Sequence, residues 1–249
     1  MSTRTPLVAG NWKMHKTAAE AADYCAELRT EVGDVTGVQI AICPPFTALE
    51  SSAAALAGST IQVMAQAVHE AASGAHTGEI SGDMIAATGA TGTLVGHSER
   101  RAAGETDAQV AARVRAGLDA GLFVIMCCGE SLEQRDAGET LTWLEGQVEA
   151  GLAQVSPDEQ ERIAVAYEPI WAIGTGRTAS PEQAQEACAH VRAVAGRRFD
   201  GAGLRVLYGG SVNEANAAEL MAQPDVDGGL VGGASLSADT FAQIVRAAL

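Results

Sequence analysis

The sequence predicts a single α/β domain over residues 1–249, in which eight parallel strands alternate with helices. Eight short apolar runs are separated by helical stretches, and no Pro/Ser-rich linker or charge run divides the chain. The runs lie near residues 6–10, 38–42, 60–65, 92–96, 122–127, 162–167, 204–208 and 228–231. Strict alternation implies right-handed crossovers, and eight such units in about 250 residues fit a closed (β/α)8 barrel. An open doubly wound sheet shows the same alternation, and a division into two small domains is less favoured.

Three helix starts are marked by capping boxes, in which a hydroxyl residue precedes a Glu or Gln by three positions. These starts are Thr17 to Glu20, Ser131 to Gln134 and Ser180 to Gln183. Pro181 adds a proline at the first helical position, where its missing N–H costs nothing. The strand–helix alternation therefore has local start signals as well as hydrophobic runs.

Composition excludes several classes of function. A formal net charge of −15 opposes binding to nucleic acid and to acidic membranes. The first residues contain no apolar signal region, and no stretch approaches the ~20 apolar residues that span a bilayer, so a soluble cytoplasmic protein is expected. Five cysteines without a C-x-x-C pattern favour a reducing compartment. Cys127 and Cys128 are adjacent on a strand and face opposite sides, which excludes them as a metal pair.

Residues 167–179 place a carboxylate directly before a long loop, and their sequence is Tyr-Glu-Pro-Ile-Trp-Ala-Ile-Gly-Thr-Gly-Arg-Thr-Ala. A turn from strand to helix needs about 2–6 residues, so the loop 169–179 is interpreted as a lid over Glu168. Pro169 stiffens one end, and Gly174 and Gly176 permit unusual backbone shapes. The alternative is that Glu168 is an ordinary solvated loop carboxylate.

Two nucleotide-binding motifs are rejected. Neither lysine, Lys13 or Lys16, follows a G-x-x-x-x-G run, so a P-loop is excluded. The segment 174–179 matches G-x-G-x-x-A, but it lies inside the long loop and not in a tight turn between a strand and its helix. No cofactor and no metal are expected, since the scattered histidines have no ligand spacing.

Five segments together resemble the signatures of the triosephosphate isomerase family. They are Gly10-Asn-Trp-Lys-Met14, Gly96-His-Ser-Glu-Arg-Arg101, the run 167–180, Tyr208-Gly-Gly-Ser-Val212 and Val231-Gly-Gly-Ala-Ser-Leu236. They occur in the family's order and near its spacings, and the resemblance runs from residue 6 to the end. It implies the closed (β/α)8 barrel and interconversion of dihydroxyacetone phosphate and glyceraldehyde 3-phosphate, a step of glycolysis and gluconeogenesis.

On the predicted frame, the functional candidates follow strand ends and should meet at the carboxyl-terminal mouth of the barrel. The resemblance implies that Glu168 is the catalytic base, and that His97, Lys13 and Asn11 stabilise the oxyanion of an enediol(ate). His97 would be neutral near a helix N-terminus, as the histidine of this family is known to be. Taken alone, His97 could be a capping or core histidine and Lys13 a surface lysine.

Phosphate is expected to bind mainly to backbone N–H groups, which need no net positive charge. The expected donors are Gly174, Ser211, Gly232 and Gly233, although glycine pairs can also be simple tight turns. The resemblance further implies that Tyr208 hydrogen-bonds the closed lid near Ala179 and that Glu99 supports Lys13. It leaves the roles of Cys127 and Glu130 open.

The resemblance also implies a homodimer through an interface loop at about residues 67–80, in which Thr77 reaches the partner's site. His76 replaces a customary aromatic residue there, which puts the detail of the interface in doubt. Two rivals remain open: another sugar-phosphate isomerase on a phosphate-binding barrel, and a non-catalytic interaction protein of the same fold. The second should have lost one of Lys13, His97 and Glu168, but all three are present.

Overall fold

The computed structural model describes residues 4–173 and 178–249. The strands within these residues are β1 (Leu7–Asn11), β2 (Gln39–Cys43), β3 (Gln62–Ala65), β4 (Gly92–Val95), β5 (Phe123–Cys128), β6 (Ile163–Tyr167), β7 (Arg205–Tyr208) and β8 (Gly228–Val231). They are parallel and are hydrogen-bonded in chain order, and β8 pairs with β1 to close the sheet. This closure confirms the (β/α)8 barrel over the open doubly wound sheet. The eight expected runs match these strands to within about two residues at each end.

The α-helices lie outside the barrel and alternate with the strands. They are α1 (Ala18–Val32), α2 (Leu49–Ala55), α3 (Gly82–Ala87), α4 (Ser98–Ala102), α5 (Asp107–Asp119), α6 (Leu132–Asp136), α7 (Thr140–Leu152), α8 (Pro181–Ala195), α9 (Ala217–Met221) and α10 (Ala238–Arg246). Short 3-10 helices cover Phe46–Ala48, Pro157–Arg162, Ile170–Ala172 and Gly233–Leu236.

The three predicted capping boxes are confirmed at the starts of α1, α6 and α8. In each, the hydroxyl oxygen accepts an N–H of the first turn and the Glu or Gln side chain accepts the N–H of the cap residue. Pro181 occupies the first turn of α8, as expected. The predicted lid is therefore followed by a well-defined helix start at Ser180.

Alternate residues of each strand fill the barrel interior, while the others pack against the helices. The interior cluster contains Leu7, Ala9, Ala41, Cys43, Met64, Leu94, Ile125, Cys127, Ala164, Ala166, Leu207 and Leu230. Val8 and Cys128 belong to the larger cluster between barrel and helices. Cys127 and Cys128 thus face opposite sides of β5, as their adjacency predicts. A solid interior leaves chemistry to the loops at the carboxyl ends of the strands.

Candidate active site

The candidate residues converge on one cavity of about 350 Å³ at the carboxyl-terminal mouth of the barrel. Asn11 ends β1, His97 follows β4, and Glu168 follows β6. The polar and glycine lining includes Asn11, Lys13, His97, Glu168, Gly209, Gly210, Ser211, Gly232 and Gly233. Of the eight site residues predicted from the sequence, only Gly174 lies outside the described residues.

Glu168 is buried, with 2 % of its surface exposed, and its carboxylate is held by the start of α4. The Ser98 amide N–H donates to Oε2 of Glu168 at 2.8 Å, and the Ser98 hydroxyl lies 3.4 Å from Oε1. The Glu168 amide N–H donates to the Cys128 carbonyl at 2.7 Å. The hydrogen bond to Cys128 fixes the backbone of Glu168 to the barrel. The carboxylate is held by hydrogen bonds from Ser98, which a substrate can replace.

Two glycines make room for Glu168. A Cβ atom at Gly129 would overlap the Glu168 carbonyl, and one at Gly209 would lie 2.9 Å from the Glu168 Cγ atom. A Cβ at Gly210 would overlap the Tyr208 hydroxyl. The pair Gly209-Gly210 therefore allows the close packing of Glu168 and Tyr208. The sequence pattern alone does not distinguish this packing role from a role in a phosphate-binding turn.

His97 is the N-cap residue of α4, and its two ring nitrogens have different partners. Nδ1 accepts the Glu99 amide N–H at 3.2 Å, so the proton of the neutral ring is on Nε2. Nε2 lies 3.0 Å from Oε1 of Glu168. Burial lowers the pKa of His97, but the charge and hydrogen bond of Glu168 outweigh it, so the pKa is raised above 6.5. This rise depends on the position of Glu168 and not on His97 alone.

Lys13 is held in a left-handed backbone conformation, with φ of 53°. Such a conformation is uncommon outside glycine and is concentrated at functional sites. The Asn11 side-chain oxygen accepts the Lys13 amide N–H at 3.0 Å, and the Gln66 side chain donates to the Lys13 carbonyl at 2.8 Å. The Lys13 Nζ atom lies 2.6 Å from Oε1 of Glu99, which agrees with the expected support by Glu99.

Gln66 was not identified as a site residue from the sequence. Besides the Lys13 carbonyl, its amide donates to the Cys43 carbonyl at 2.8 Å, so it ties the loop after β1 to the end of β2. The only sequence signal was its position directly after a predicted strand, where a polar residue faces the mouth.

The segments after β7 and β8 form another wall of the cavity. Ser211 follows β7, and its carbonyl accepts the Asn216 side-chain amide at 3.0 Å. Gly232 and Gly233 begin the 3-10 helix Gly233–Leu236. We call Gly232 and Gly233 the glycine turn. A Cβ at Gly232 would lie 3.8 Å from the Lys13 Cε atom, so Lys13 and the glycine turn share one side of the cavity.

Glu130 anchors the first residues of the predicted lid. It is fully buried, and its Oε1 accepts hydrogen bonds from the Tyr167 hydroxyl at 3.1 Å and the Trp171 indole N–H at 2.8 Å. Arg135 also donates to Oε1, at 3.1 Å, and its guanidinium stacks 4.8 Å from the Trp171 ring. Glu130, whose role the sequence leaves open, therefore holds Trp171 in the segment that follows Glu168.

The described residues hold no group of three or more His, Cys, Asp or Glu side chains arranged to bind a metal ion. All five cysteines are buried free thiols, and burial raises the pKa of Cys25 to about 11 and of Cys128 to about 12. These thiols stay protonated near neutrality and do not act as nucleophiles. Among the described helices, none has the length and apolar character needed to cross a membrane.

Comparison with known proteins agrees with this geometry. The family model described as "Triosephosphate isomerase" matches residues 6–248. The triosephosphate isomerase of Bordetella pertussis is 51% identical over 245 residues, which cover 98% of each chain. That of Symbiobacterium thermophilum is 48% identical over 249 residues, covering 98% of this chain and 97% of that one.

A solved structure gives the same result. The crystal structure of triosephosphate isomerase from Bartonella henselae superposes with a TM-score of 0.90 at 36% identity, covering 98% of each chain. The family match, the full-length relatives and the closed barrel with its buried carboxylate all agree. The chain therefore belongs to the triosephosphate isomerase family and is an isomerase.

Proposed function

We propose that this isomerase interconverts dihydroxyacetone phosphate and D-glyceraldehyde 3-phosphate, with Glu168 as the base that moves the proton. The observation that supports this most directly is the convergence of a buried carboxylate and a buried imidazole, 3.0 Å apart, on the cavity that also contains the glycine turn. A base, an electrophile and an anion site are what a 1,2-proton shift in a phosphorylated sugar requires.

In the forward step, Glu168 takes a proton from C1 of dihydroxyacetone phosphate. The C–H electron pair becomes the C1=C2 double bond, and the carbonyl π pair moves onto O2, which gives an enediol(ate). Return of a proton to C2 and transfer of the O1 proton to O2 complete the aldose. Since Glu168 is bound to the Ser98 amide in this structure, it must leave that hydrogen bond to reach the substrate.

His97 polarises the carbonyl as a neutral donor through Nε2. The Glu99 amide N–H occupies Nδ1, which keeps that nitrogen unprotonated. When Glu168 turns toward the substrate, its influence on the pKa of His97 weakens, and the effect of burial, which lowers the pKa, remains. The same rearrangement that delivers the base therefore favours a neutral imidazole for the electrophilic role.

Lys13 and Asn11 complete the oxyanion site. The ammonium group of Lys13 provides the cation beside the developing charge, and its left-handed backbone aims it over the cavity. Asn11 acts on the Lys13 backbone through its side-chain oxygen. Its amide nitrogen can donate to the substrate because it takes no part in that bond.

Phosphate binding is assigned to Ser211, Gly232 and Gly233, together with Gly174 of the lid. The first three line the cavity, and glycines allow close approach of backbone N–H groups to an anion. Main-chain donors also explain how a chain with a net charge of −15 can hold a dianion, since they need no positive surface. The contribution of Gly174 rests on the sequence alone.

The test is a coupled assay in both directions, with each triose phosphate as substrate, run alongside larger sugar phosphates. In D₂O, we expect deuterium at C2 of newly formed glyceraldehyde 3-phosphate, because the abstracted proton exchanges with solvent. Turnover of a larger sugar phosphate alone would favour the rival isomerase. The absence of turnover with every substrate would favour the non-catalytic protein.

We also propose a homodimer in the cytoplasm, with no nucleic-acid or membrane partner. Residues 72–79 are exposed, and Thr77 does not line the cavity of its own chain. The His76 ring stacks on His69 at 4.2 Å, which holds this loop in shape. Met14 is 93% exposed one residue from Lys13, so a second copy would cover an apolar group beside the site. Five buried free thiols fit a reducing compartment.

Sedimentation velocity over a dilution series tests the dimer. Met14→Glu should shift the protein toward monomer and lower its specific activity on dilution. Leu249→Glu introduces the same charge at another exposed apolar residue, 73% exposed, and should leave association unchanged. A wild-type monomer with full activity would overturn the assembly and the part assigned to Thr77.

A further inference from the structure

The glycine turn assigned to phosphate is supported from below by a buried serine. Ser235 is fully buried, and its amide N–H and hydroxyl both donate to the Gly232 carbonyl, at 2.8 and 2.7 Å. A Cβ at Gly10 would lie 2.8 Å from the Ser235 Cβ atom, so the turn rests directly on β1. The position of Ser235 therefore determines where Gly232 and Gly233 face the cavity.

Tyr24 of α1 holds the carbonyl of that serine. Its hydroxyl donates to the Ser235 carbonyl oxygen at 2.6 Å, across 211 positions of sequence. Only 4% of Tyr24 is exposed, so the bond is shielded from water. Burial raises the pKa of the Tyr24 phenol well above its usual value, and the hydroxyl therefore stays protonated and able to donate.

The ring of Tyr24 also supports the loop that carries Lys13. Trp12 packs edge-on against the ring with centroids 4.7 Å apart, and the Lys16 Nζ atom lies 4.7 Å from the ring centroid. Lys13 and Lys16 both have left-handed backbones, with φ of 53° and 70°. The segment between Trp12 and Lys16 is thus strained, and the ring of Tyr24 braces both of its ends.

We propose that Tyr24 is a positioning residue for the phosphate end of the site: its hydroxyl sets the height of the turn 232–236, and its ring holds the Lys13 loop beside that turn. This inference rests on the proposed function, because it assigns Tyr24 to the same phosphate site. Tyr24 acts through Ser235 and the Lys13 loop, and it is not among the residues that line the cavity.

The experiment compares Tyr24→Phe, which removes only the hydroxyl, with Tyr24→Leu, which also removes the ring. Kinetics with glyceraldehyde 3-phosphate and a titration with inorganic phosphate followed by NMR give KM, kcat and the phosphate dissociation constant. For Tyr24→Phe we expect KM and the phosphate dissociation constant to rise together by about 3- to 10-fold, the range of one net hydrogen bond. We expect kcat to stay within about twofold, because ground-state and transition-state binding of phosphate weaken alike.

Thr88→Val is the matched control. The Thr88 hydroxyl donates to the Ile85 carbonyl at 2.7 Å, between α3 and β4 and therefore at the opposite end of the barrel. This variant also loses a hydroxyl bound to a backbone carbonyl, so it should lower the melting temperature without changing KM or phosphate binding. A merely structural role for Tyr24 predicts the same result for Tyr24→Phe.

Two further readouts separate the outcomes. Isomerisation of D-glyceraldehyde, the same aldose without phosphate, should be unchanged in Tyr24→Phe. An unchanged phosphate dissociation constant in a folded Tyr24→Phe protein overturns the role of the hydroxyl. A rise of that constant in Tyr24→Leu alone assigns the effect to ring packing instead. An inactive wild-type protein would overturn the proposed reaction. Phosphate titration does not require turnover, so the comparison of wild type with Tyr24→Phe would still decide the role of Tyr24.

Discussion

The Nε2 atom of His97 lies 3.0 Å from Oε1 of Glu168, while Nδ1 of the same ring accepts the Glu99 amide N–H. The first contact raises the pKa of His97 against the effect of its burial, and the second favours a proton on Nε2 alone. The proposed base and the proposed electrophile are therefore coupled before substrate arrives, and a change in one alters the other.

Glu168→Gln should lower kcat by at least about 10³-fold, since an amide cannot serve as the general base. Phosphate binding should be retained, because Glu168 contacts His97 and Ser98 and is not among the groups assigned to phosphate. Steady-state kinetics and a phosphate titration measure the two effects separately. Retention of more than a tenth of wild-type kcat would remove Glu168 from the base role.

The same substitution should lower the pKa of His97. With the carboxylate gone, burial and the nearby Lys13 charge remain and lower the pKa, while the Glu99 charge, a smaller effect than either, raises it. NMR titration of the His97 ring should give a value above 6.5 in the wild type and a lower one in Glu168→Gln. An equal value in both proteins would show that Glu168 does not control the ring.

The raised pKa of His97 makes the stability of the protein depend on pH. Because the folded-state pKa of His97 is raised, its contribution to stability is fully present below the unfolded-state value of about 6.5. That contribution is lost as pH rises through the folded-state pKa. The stability advantage of wild type over Glu168→Gln should therefore include a part that shrinks from acidic toward neutral pH.

The fold could be predicted because its signals are local. The capping boxes at Thr17 and Ser180 involve residues three positions apart, and the strand runs depend on consecutive apolar residues. The position of a polar residue just after a strand is likewise a local property, and in a parallel barrel it places the side chain at the mouth. Together with the family resemblance, which favours the closed barrel over the open sheet, these signals were sufficient to bring Lys13, His97 and Glu168 to one cavity.

The supporting contacts could not be predicted because their partners are distant in sequence. The bond from Tyr24 to Ser235 depends on how closely α1 approaches the turn after β8, and no periodicity encodes that distance. Gln66 and Glu130 are similar cases. The need for glycine at position 209 depends on the Glu168 Cγ atom, which only the assembled barrel brings to within 2.9 Å of a Cβ there.

Gly146, in the middle of α7, offers a stability test away from the site. A Cβ there would meet no atom within 4 Å, so Gly146→Ala should raise the free energy of unfolding by about 0.5–1 kcal/mol through helix propensity and a less flexible unfolded chain. Gly151→Ala, in the same helix, is the matched contrast. Its Cβ would overlap the Met126 sulfur, and we expect a loss of about 1–3 kcal/mol from overpacking. Denaturant unfolding of both variants checks the pair, and a stability loss in Gly146→Ala would contradict the expectation.

The hydroxyl of Tyr208 is a candidate hydrogen-bond donor to the predicted lid. It is buried, and among the described residues it has no hydrogen-bond partner that meets normal geometry, although the Ala179 backbone lies near enough to lower its pKa slightly. Burial has the larger effect and raises the pKa of Tyr208 to about 12, so the hydroxyl is a donor. A buried donor without a partner is costly, and we expect it to gain a full hydrogen bond to the lid near Ala179 when substrate is bound.

Tyr208→Phe removes that bond and should lower kcat by about tenfold, the effect of one buried hydrogen bond. If the lid keeps water from the enediol(ate), a weaker closure should also increase the fraction of substrate that loses phosphate. Measuring methylglyoxal together with the isomerised product decides this, with Thr88→Val as the control for a lost hydroxyl elsewhere. A lower kcat with unchanged partitioning would mean that Tyr208 assists catalysis without securing the lid. Unchanged kcat and partitioning would mean that its hydroxyl stays unpaired throughout turnover.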